Sequence, residues 1–98
     1  MQDIIPITGT VVDVAPDVNG DDVMYPHVVI RRKADGTLQE FINVYAVYEV
    51  AGLIDLNASG HFVFWQRADE CRLAFFYSDT GARAVDYGVV REYLEALT

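Results

Sequence analysis

The segment His61–Ser78 constrains the fold of this chain more than any other. It reads HFVFWQ, then RADE, then CRLAFFYS: two stretches rich in aromatic and β-branched residues around a short polar turn, the pattern of a β-hairpin. Side chains alternate across a strand. In the first stretch Phe62, Phe64 and Gln66 share one face, and His61, Val63 and Trp65 the other. In the second, Leu73, Phe75 and Tyr77 oppose Arg72, Ala74 and Phe76. Both faces are apolar, so both must be covered. The interior of a small barrel takes one set, with Phe64 and Phe75. The other set, Val63, Trp65 and Phe76, needs a helix or a partner over it.

The rest of the chain supplies the other elements. Its 98 residues, 52% hydrophobic and 22% charged, make one globular domain over 1–98. A first strand is expected at Ile7–Val14, with Gly9 as a bulge or kink. Ala15–Asp22 contains Pro16, Asn19-Gly20 and several aspartates, and reads as a loop. After Pro26 a second strand, His27–Lys33, leads into the hairpin signal Ala34-Asp35-Gly36. The third strand is Thr37–Val44. Leu38, Glu40, Ile42 and Val44 fall on one face, and Gln39, Phe41, Asn43 and Tyr45 on the other. Tyr45–Leu56 shows helical spacing of apolar residues interrupted by Gly52, so a short helix is expected there. Asn57-Ala58-Ser59-Gly60 reads as a turn, as does Asp79-Thr80-Gly81 ahead of a short strand at Arg83–Val85. Asp86 then caps a helix over Tyr87–Leu97. Its apolar stripe is Val89, Val90, Tyr93, Leu94 and Leu97, with Arg91, Glu92 and Glu95 facing out.

The order β-β-β-(α)-β-β-α predicts a mainly β fold with one or two short helices. The architecture is an OB-like small barrel or a strongly bent antiparallel sheet of about five strands, with a C-terminal helix. Three segments carry a resemblance: TGTVVDV at 8–14, the YPHVVI and TLQEF hairpin around Asp35-Gly36, and LAFFYSDTGA at 73–82. Together they resemble the small OB-like domains of some bacterial membrane-associated proteins. The resemblance spans residues 7–85 and leaves the C-terminal helix outside. It implies a barrel and a binding role, and it brings no catalytic residues.

Charge narrows the partners. The formal net charge is −8, and residues 1–30 hold five aspartates with no lysine or arginine before Arg31-Arg32-Lys33. Binding of duplex nucleic acid or an anionic lipid surface needs clustered cations, so neither is expected. The acidity suits either a solubilising surface, the commoner use of such charge, or a basic protein partner. Asp17, Asp21 and Asp22 form a candidate acidic contact for such a partner. One cysteine, Cys71, allows no internal disulfide. Residues 1–15 lack a basic start followed by an apolar run, and no apolar run has the length of a membrane span. The expected location is cytoplasmic.

No set of residues specifies catalysis. Cys71 with His27 or His61 would make a thiol–imidazole pair, but Asp69 and Glu70 beside Cys71 disfavour a thiolate. DVNGDD begins like a calcium loop and then fails, because the glycine position holds Asp22 and the closing glutamate position holds Val28. Two histidines and one cysteine lack the close-spaced pair that anchors zinc. No glycine pattern cradles phosphate. No metal and no cofactor are expected. Single-stranded nucleic acid is the rival ligand, with Tyr25, His27, Arg31, Phe41 and Tyr45 as its stacking and cationic residues. The leading expectation is a non-enzymatic, acidic protein-interaction domain, an inhibitor of the immunity type or an accessory subunit, or else a homodimer. Its contacts would be Asp17, Asp21, Asp22, Val63, Trp65 and Phe76.

Overall fold

The computed structural model describes the backbone of residues 2–15, 17–19 and 22–97, with side chains for 3–15 and 23–97. The fold is mainly β. Seven strands form one sheet: β1 (Gln2–Val14), β2 (Asp17–Asn19), β3 (Asp22–Arg32), β4 (Leu38–Val47), β5 (Ser59–Arg67), β6 (Glu70–Ser78) and β7 (Arg83–Val85). A single-turn helix, α1 (Tyr48–Ala51), follows β4, and α2 (Tyr87–Leu97) ends the chain. Five strands close a ring in the order β1-β3-β4-β6-β5 and back to β1. All neighbours in it are antiparallel except β4 and β6, which run parallel where Val44 and Tyr45 meet Cys71 and Arg72.

The long β1 makes closure work. Its first part pairs with β5 from Gln2 to Thr10, and its end pairs with β3 from Gly9 to Val14. Gly9, which pairs with both strands, lies where the two neighbours converge. A Cβ on Gly9 would sit 2.1 Å from the Arg31 carbonyl oxygen, and one on its partner Gly60 would sit 2.1 Å from the Tyr77 carbonyl oxygen. Neither position admits a side chain. The bulge itself lies further on, at Val12.

Several elements are longer or shorter than their sequence signals. β1 begins at Gln2 rather than Ile7. Within the segment expected as a loop, β2 pairs with the start of β3. β3 runs through Pro26 instead of starting after it. The helix expected over Tyr45–Leu56 shrinks to Tyr48–Ala51, because β4 continues to Val47 and Gly52 closes the turn. β5 begins at Ser59, inside the expected turn.

The largest differences concern which way side chains face. In β3, Val23 and Tyr25 point inward, then Val28 and Ile30. In β4, Phe41 points inward, then Val44 and Ala46. The register is unbroken on either side, with Tyr25 opposite Val44 and His27 opposite Ile42. Both strands therefore switch faces together, at Pro26 and at Asn43, whose φ is 50°. Asparagine tolerates that left-handed conformation better than most residues. The expected grouping of Leu38, Glu40 and Ile42 with Val44 is thereby broken.

β6 switches by a different route. Val63 pairs with Phe75, but Phe64 pairs with Leu73, so Ala74 is an extra residue in β6. Cys71, Leu73 and Phe76 consequently face the barrel core, and Ala74 faces outward. This corrects the expected faces: Phe76 is inside, and Phe75 is half-buried outside the core. The interior is aromatic. Phe41 stacks on Phe64 with centroids 3.9 Å apart, and Phe62 tilts against Phe76 at 4.6 Å. Val50 and Ile54 also join this core from α1 and the segment after it.

A second, smaller core lies outside the ring, under α2. Trp65, Ala74 and Val89 form it, with Ile4 and Tyr93 packed alongside. Asp86 fixes the helix there. Its Oδ1 accepts the Val89 N–H at 3.2 Å, its Oδ2 meets the Arg72 guanidinium at 3.2 Å, and its own N–H donates to the Ala74 carbonyl at 2.7 Å. Arg67 and Glu92 add an exposed pair at 3.2 Å. The expected single stripe of α2 is therefore two. Val89 and Tyr93 face the barrel, while Leu94 and Leu97 do not.

Candidate binding face

The switch at Pro26 and Asn43 decides what the outer face of β3 and β4 displays. Leu38 and Ile42 point away from the core, 64% and 62% exposed. Cross-strand pairing sets their neighbours: Arg31 opposite Leu38, Val29 opposite Glu40, and His27 opposite Ile42. Half-buried Val29 is thus the diagonal neighbour of both Leu38 and Ile42. On the β1 side, Asp13 pairs with Val29 and its Oδ2 lies 3.2 Å from His27 Nε2. The result is a checkered face: Leu38 and Ile42 stand on either side of Glu40 along β4, and Val29 stands between His27 and Arg31 along β3, with Asp13 beyond it on β1. Its capacity is contact, with apolar side chains and charges interleaved.

The residues expected to contact a partner fall elsewhere. Trp65 and Phe76 are each 1% exposed, the first beneath α2 and the second in the barrel core. Val63 is half-buried on β5, between Pro6 and Phe75. The hairpin surplus that suggested a partner is absorbed by the bulge at Ala74 and by α2. Asp21 lies outside the described residues. Asp17 and Asp22 contribute backbone pairs to β2 and β3, with Asp17 opposite Met24 and Asp22 opposite Asn19 and Val47.

The stacking residues also disperse. Tyr25 and Phe41 are buried in the core, so the β3–β4 face presents no ring from either. Tyr45 lies beyond the switch point, beside Asp69, Glu70 and Arg72. Of the expected set, His27 and Arg31 remain on the outer face.

The candidate nucleophile is enclosed. Cys71 is buried in the main core, and burial pushes its thiol up to about 11. A thiol held neutral in this way is inert. His61 Nδ1 and Thr8 Oγ1 lie 2.7 Å apart across β1 and β5. One row along, Thr10 donates to Ser59, whose Oγ donates to Asp79 Oδ2 at 2.8 Å. A hydroxyl relay needs the imidazole between hydroxyl and carboxylate. Here the carboxylate holds the hydroxyl directly, and the imidazole is held by Thr8. The row ties β1, β5 and the turn after β6 together. Among the described residues no three His, Cys, Asp or Glu side chains gather as metal ligands. Nor is any helix among them long and apolar enough to cross a membrane.

No family model, curated protein or solved structure matches this chain. The reading of the site therefore rests on its own residues. Sequence alternation named Leu38 and Ile42 as sharing a face, but assigned that face together with Val44. The cue that separates them is the pairing of Pro26 with Asn43, two residues that each disturb a regular strand.

Proposed function

We propose that this domain is a non-enzymatic, OB-type protein-binding module that meets its partner through the outer face of β3 and β4. The observation that carries the reading is the pair Leu38 and Ile42, held outward on β4 with Val29 of β3 diagonal to both. Leaving such side chains in water forgoes roughly 1.5–3 kcal/mol for each one that a partner could bury. The ring order supports the OB assignment: five strands, a parallel contact between the third and fifth, and a short helix after the third. In OB barrels the second and third strands carry the ligand face, and these correspond to β3 and β4. Inward-facing Tyr25 and Phe41 favour a protein over single-stranded nucleic acid, which needs open rings to stack on. Asp13, Glu40 and the net charge of −8 favour a partner that brings cationic and apolar side chains side by side. In that role the domain acts as an inhibitor or an accessory subunit.

The test is a double substitution, Leu38→Ser with Ile42→Ser. Both side chains are exposed, so stability should stay within about 0.5 kcal/mol per site. A photo-crosslinking residue in place of Glu40 identifies the partner in cells. The purified pair is then measured by calorimetry. The expected result is a loss of affinity of at least about 100-fold in the double variant, the scale of two central contacts. Unchanged affinity refutes the face. Micromolar binding of single-stranded oligonucleotides, lost with salt, refutes the choice of ligand.

A further inference from the structure

The half of β4 that displays Leu38 and Ile42 also carries an open ladder of backbone groups. Successive residues of a strand turn their N–H and C=O to opposite edges. In β3 the Lys33 end bonds toward β1, its N–H donating to the Thr8 carbonyl at 2.9 Å. The Arg32 N–H donates the other way, to the Thr37 carbonyl at 2.8 Å on the β4 side. Ile30 and Val28 share the phase of Arg32, so their backbone groups face β4, where Gln39 and Phe41 lie opposite them. The N–H and C=O of Leu38, Glu40 and Ile42 therefore point away from β3. Among the described residues no strand pairs with that edge. The neighbour on that side, β6, meets β4 at Val44 and Tyr45, beyond it. The open row is roughly 14 Å long at the usual rise per residue.

We infer that the partner adds an extended segment to this edge as a further strand, with side chains alternating apolar, cationic and apolar beside Leu38, Glu40 and Ile42. The inference rests on the protein-binding reading of the β3–β4 face and gives the partner its form. The backbone says what covers the edge: a row of unpaired N–H and C=O groups at strand spacing is met by another strand. The side chains set its pattern. Leu38, Glu40 and Ile42 all stand exposed on the outer face, and the residue directly across from each on an added strand stands on that face too. The far end is set by Asn43, whose φ of 50° ends the regular edge. Just past it, Tyr45, Asp69, Glu70 and Arg72 line a depression of about 400 Å³ with one more carboxylate than cation, which suits a second basic residue. A second copy fits less well. The antiparallel register that sets Leu38 against Ile42 of the other copy also sets Glu40 against Glu40, and each copy carries −8.

Amide hydrogen exchange of the full chain, followed by NMR, reads the edge directly. In the chain alone the N–H groups of Leu38, Glu40 and Ile42 should exchange at least about 100-fold faster than those of Gln39 and Phe41. The probe is a library of random peptides of about twelve residues, panned on the full chain. Enriched peptides should carry apolar, cationic and apolar residues at alternate positions. A synthetic copy of one should protect Leu38, Glu40 and Ile42 together. N-methylation of its backbone at every second residue should cut affinity at least about tenfold in one phase and less than about threefold in the other, since a strand offers β4 one edge. Glu40→Lys should reverse the preference for a cationic residue. If Leu38→Ser with Ile42→Ser weakens the peptide but both N-methyl phases act alike, strand addition is wrong and the face stands. If the phases differ and the double variant binds as before, strand addition stands and the face does not. No enriched peptide overturns the inference, as does a peptide that leaves the three amides unprotected. Protection of those amides in the chain alone that grows with its concentration would put a second copy on the edge and overturn it as well.

Discussion

Asp86 should decide whether α2 stays on the barrel, and the single tryptophan reports it. Four interactions meet at this residue: the cap to the Val89 N–H, the pair with Arg72, its own N–H to the Ala74 carbonyl, and its carbonyl accepting the Val90 N–H. Substitution to alanine removes the first two and leaves the backbone bonds. Loss of a cap costs about 1 kcal/mol. Breaking the ion pair costs more, because the Asp86 side chain is 6% exposed and that of Arg72 19%. Removing one partner of a fully buried pair costs roughly 3–5 kcal/mol. The partial exposure of Arg72 lowers this to about 2 kcal/mol, since water and the Glu70 carboxylate, 3.8 Å away, still meet the guanidinium. Asp86→Ala should therefore cost about 3 kcal/mol in all, near 15 °C in Tm for a chain of this size. Asp86→Asn keeps the capping oxygen and loses the charge, so it should cost about 2 kcal/mol. Arg72→Met on the Asp86→Ala background should recover part of the loss, because the half-buried guanidinium no longer has to be desolvated without its closest carboxylate.

Trp65 lies beneath α2, and no other tryptophan exists in the chain. Undocking of the helix should thus shift its emission to the red before the strand signal in circular dichroism is lost. Thermal melts followed by both probes are the assay. If Asp86→Ala melts within about 0.5 kcal/mol of the parent, as a surface substitution would, the helix is held by Val89 and Tyr93 alone. The role given to Asp86 is then wrong. Coincident transitions by the two probes would instead mean that α2 and the barrel unfold as one unit.

Two further outcomes follow from the faces of the strands. Phe76→Ala should cost roughly 3–5 kcal/mol and Phe75→Ala much less, the reverse of what simple alternation from Phe64 and its partner strand implies; chemical denaturation of the two variants checks it. Cys71 should resist alkylation in the native state at pH 8 and react once the chain is unfolded, as a free thiol with a pKa of about 8.5 does. Its thiol is raised to about 11 in the fold. The folded state therefore holds the proton more tightly. The resulting stability is full below the unfolded pKa and is lost as pH rises from there toward about 11. The Tyr25 phenol, raised by burial and by Asp55, acts in the same direction. Cys71→Ala should flatten part of the alkaline limb of a stability–pH curve, and an unchanged limb would refute the assignment.

Much of the architecture was legible because local chemistry dictates it. Asp35 and Gly36 mark the β3–β4 turn, where Thr37 donates its N–H and hydroxyl to the Asp35 carboxylate and Gly36 takes a φ of 72°. The Asp86 cap and the aromatic hairpin are equally local. The faces were not legible in the same way. An alternating pattern gives the side of a strand only while the backbone stays regular, and a one-residue slip inverts everything beyond it. This chain slips at Val12 and at Ala74, and at Pro26 with Asn43 both strands turn over together without a change of register. Ala74 carries no sequence mark of its bulge. What selects it is tertiary: a small side chain that fits beside Trp65 under α2 while Phe76 turns inward.

The same slips explain why the candidate face escaped a reading based on apolar excess. The excess in the 61–78 hairpin is conspicuous, and the fold consumes it. The exposed residues that remain, Leu38 and Ile42 on the barrel and Tyr87, Leu94 and Leu97 on the helix, are scattered in sequence and ordinary in composition. They become surfaces only once pairing and helix docking have chosen the outward side. Binding of a basic partner to the β3–β4 face gains from the charge of −8 and should weaken as salt rises. The apolar contribution of Leu38 and Ile42 is not screened, so the double variant Leu38→Ser with Ile42→Ser should lose affinity by a similar factor at low and at high salt. A loss that vanishes at high salt would mean that the charges, and not the aliphatic side chains, make the face.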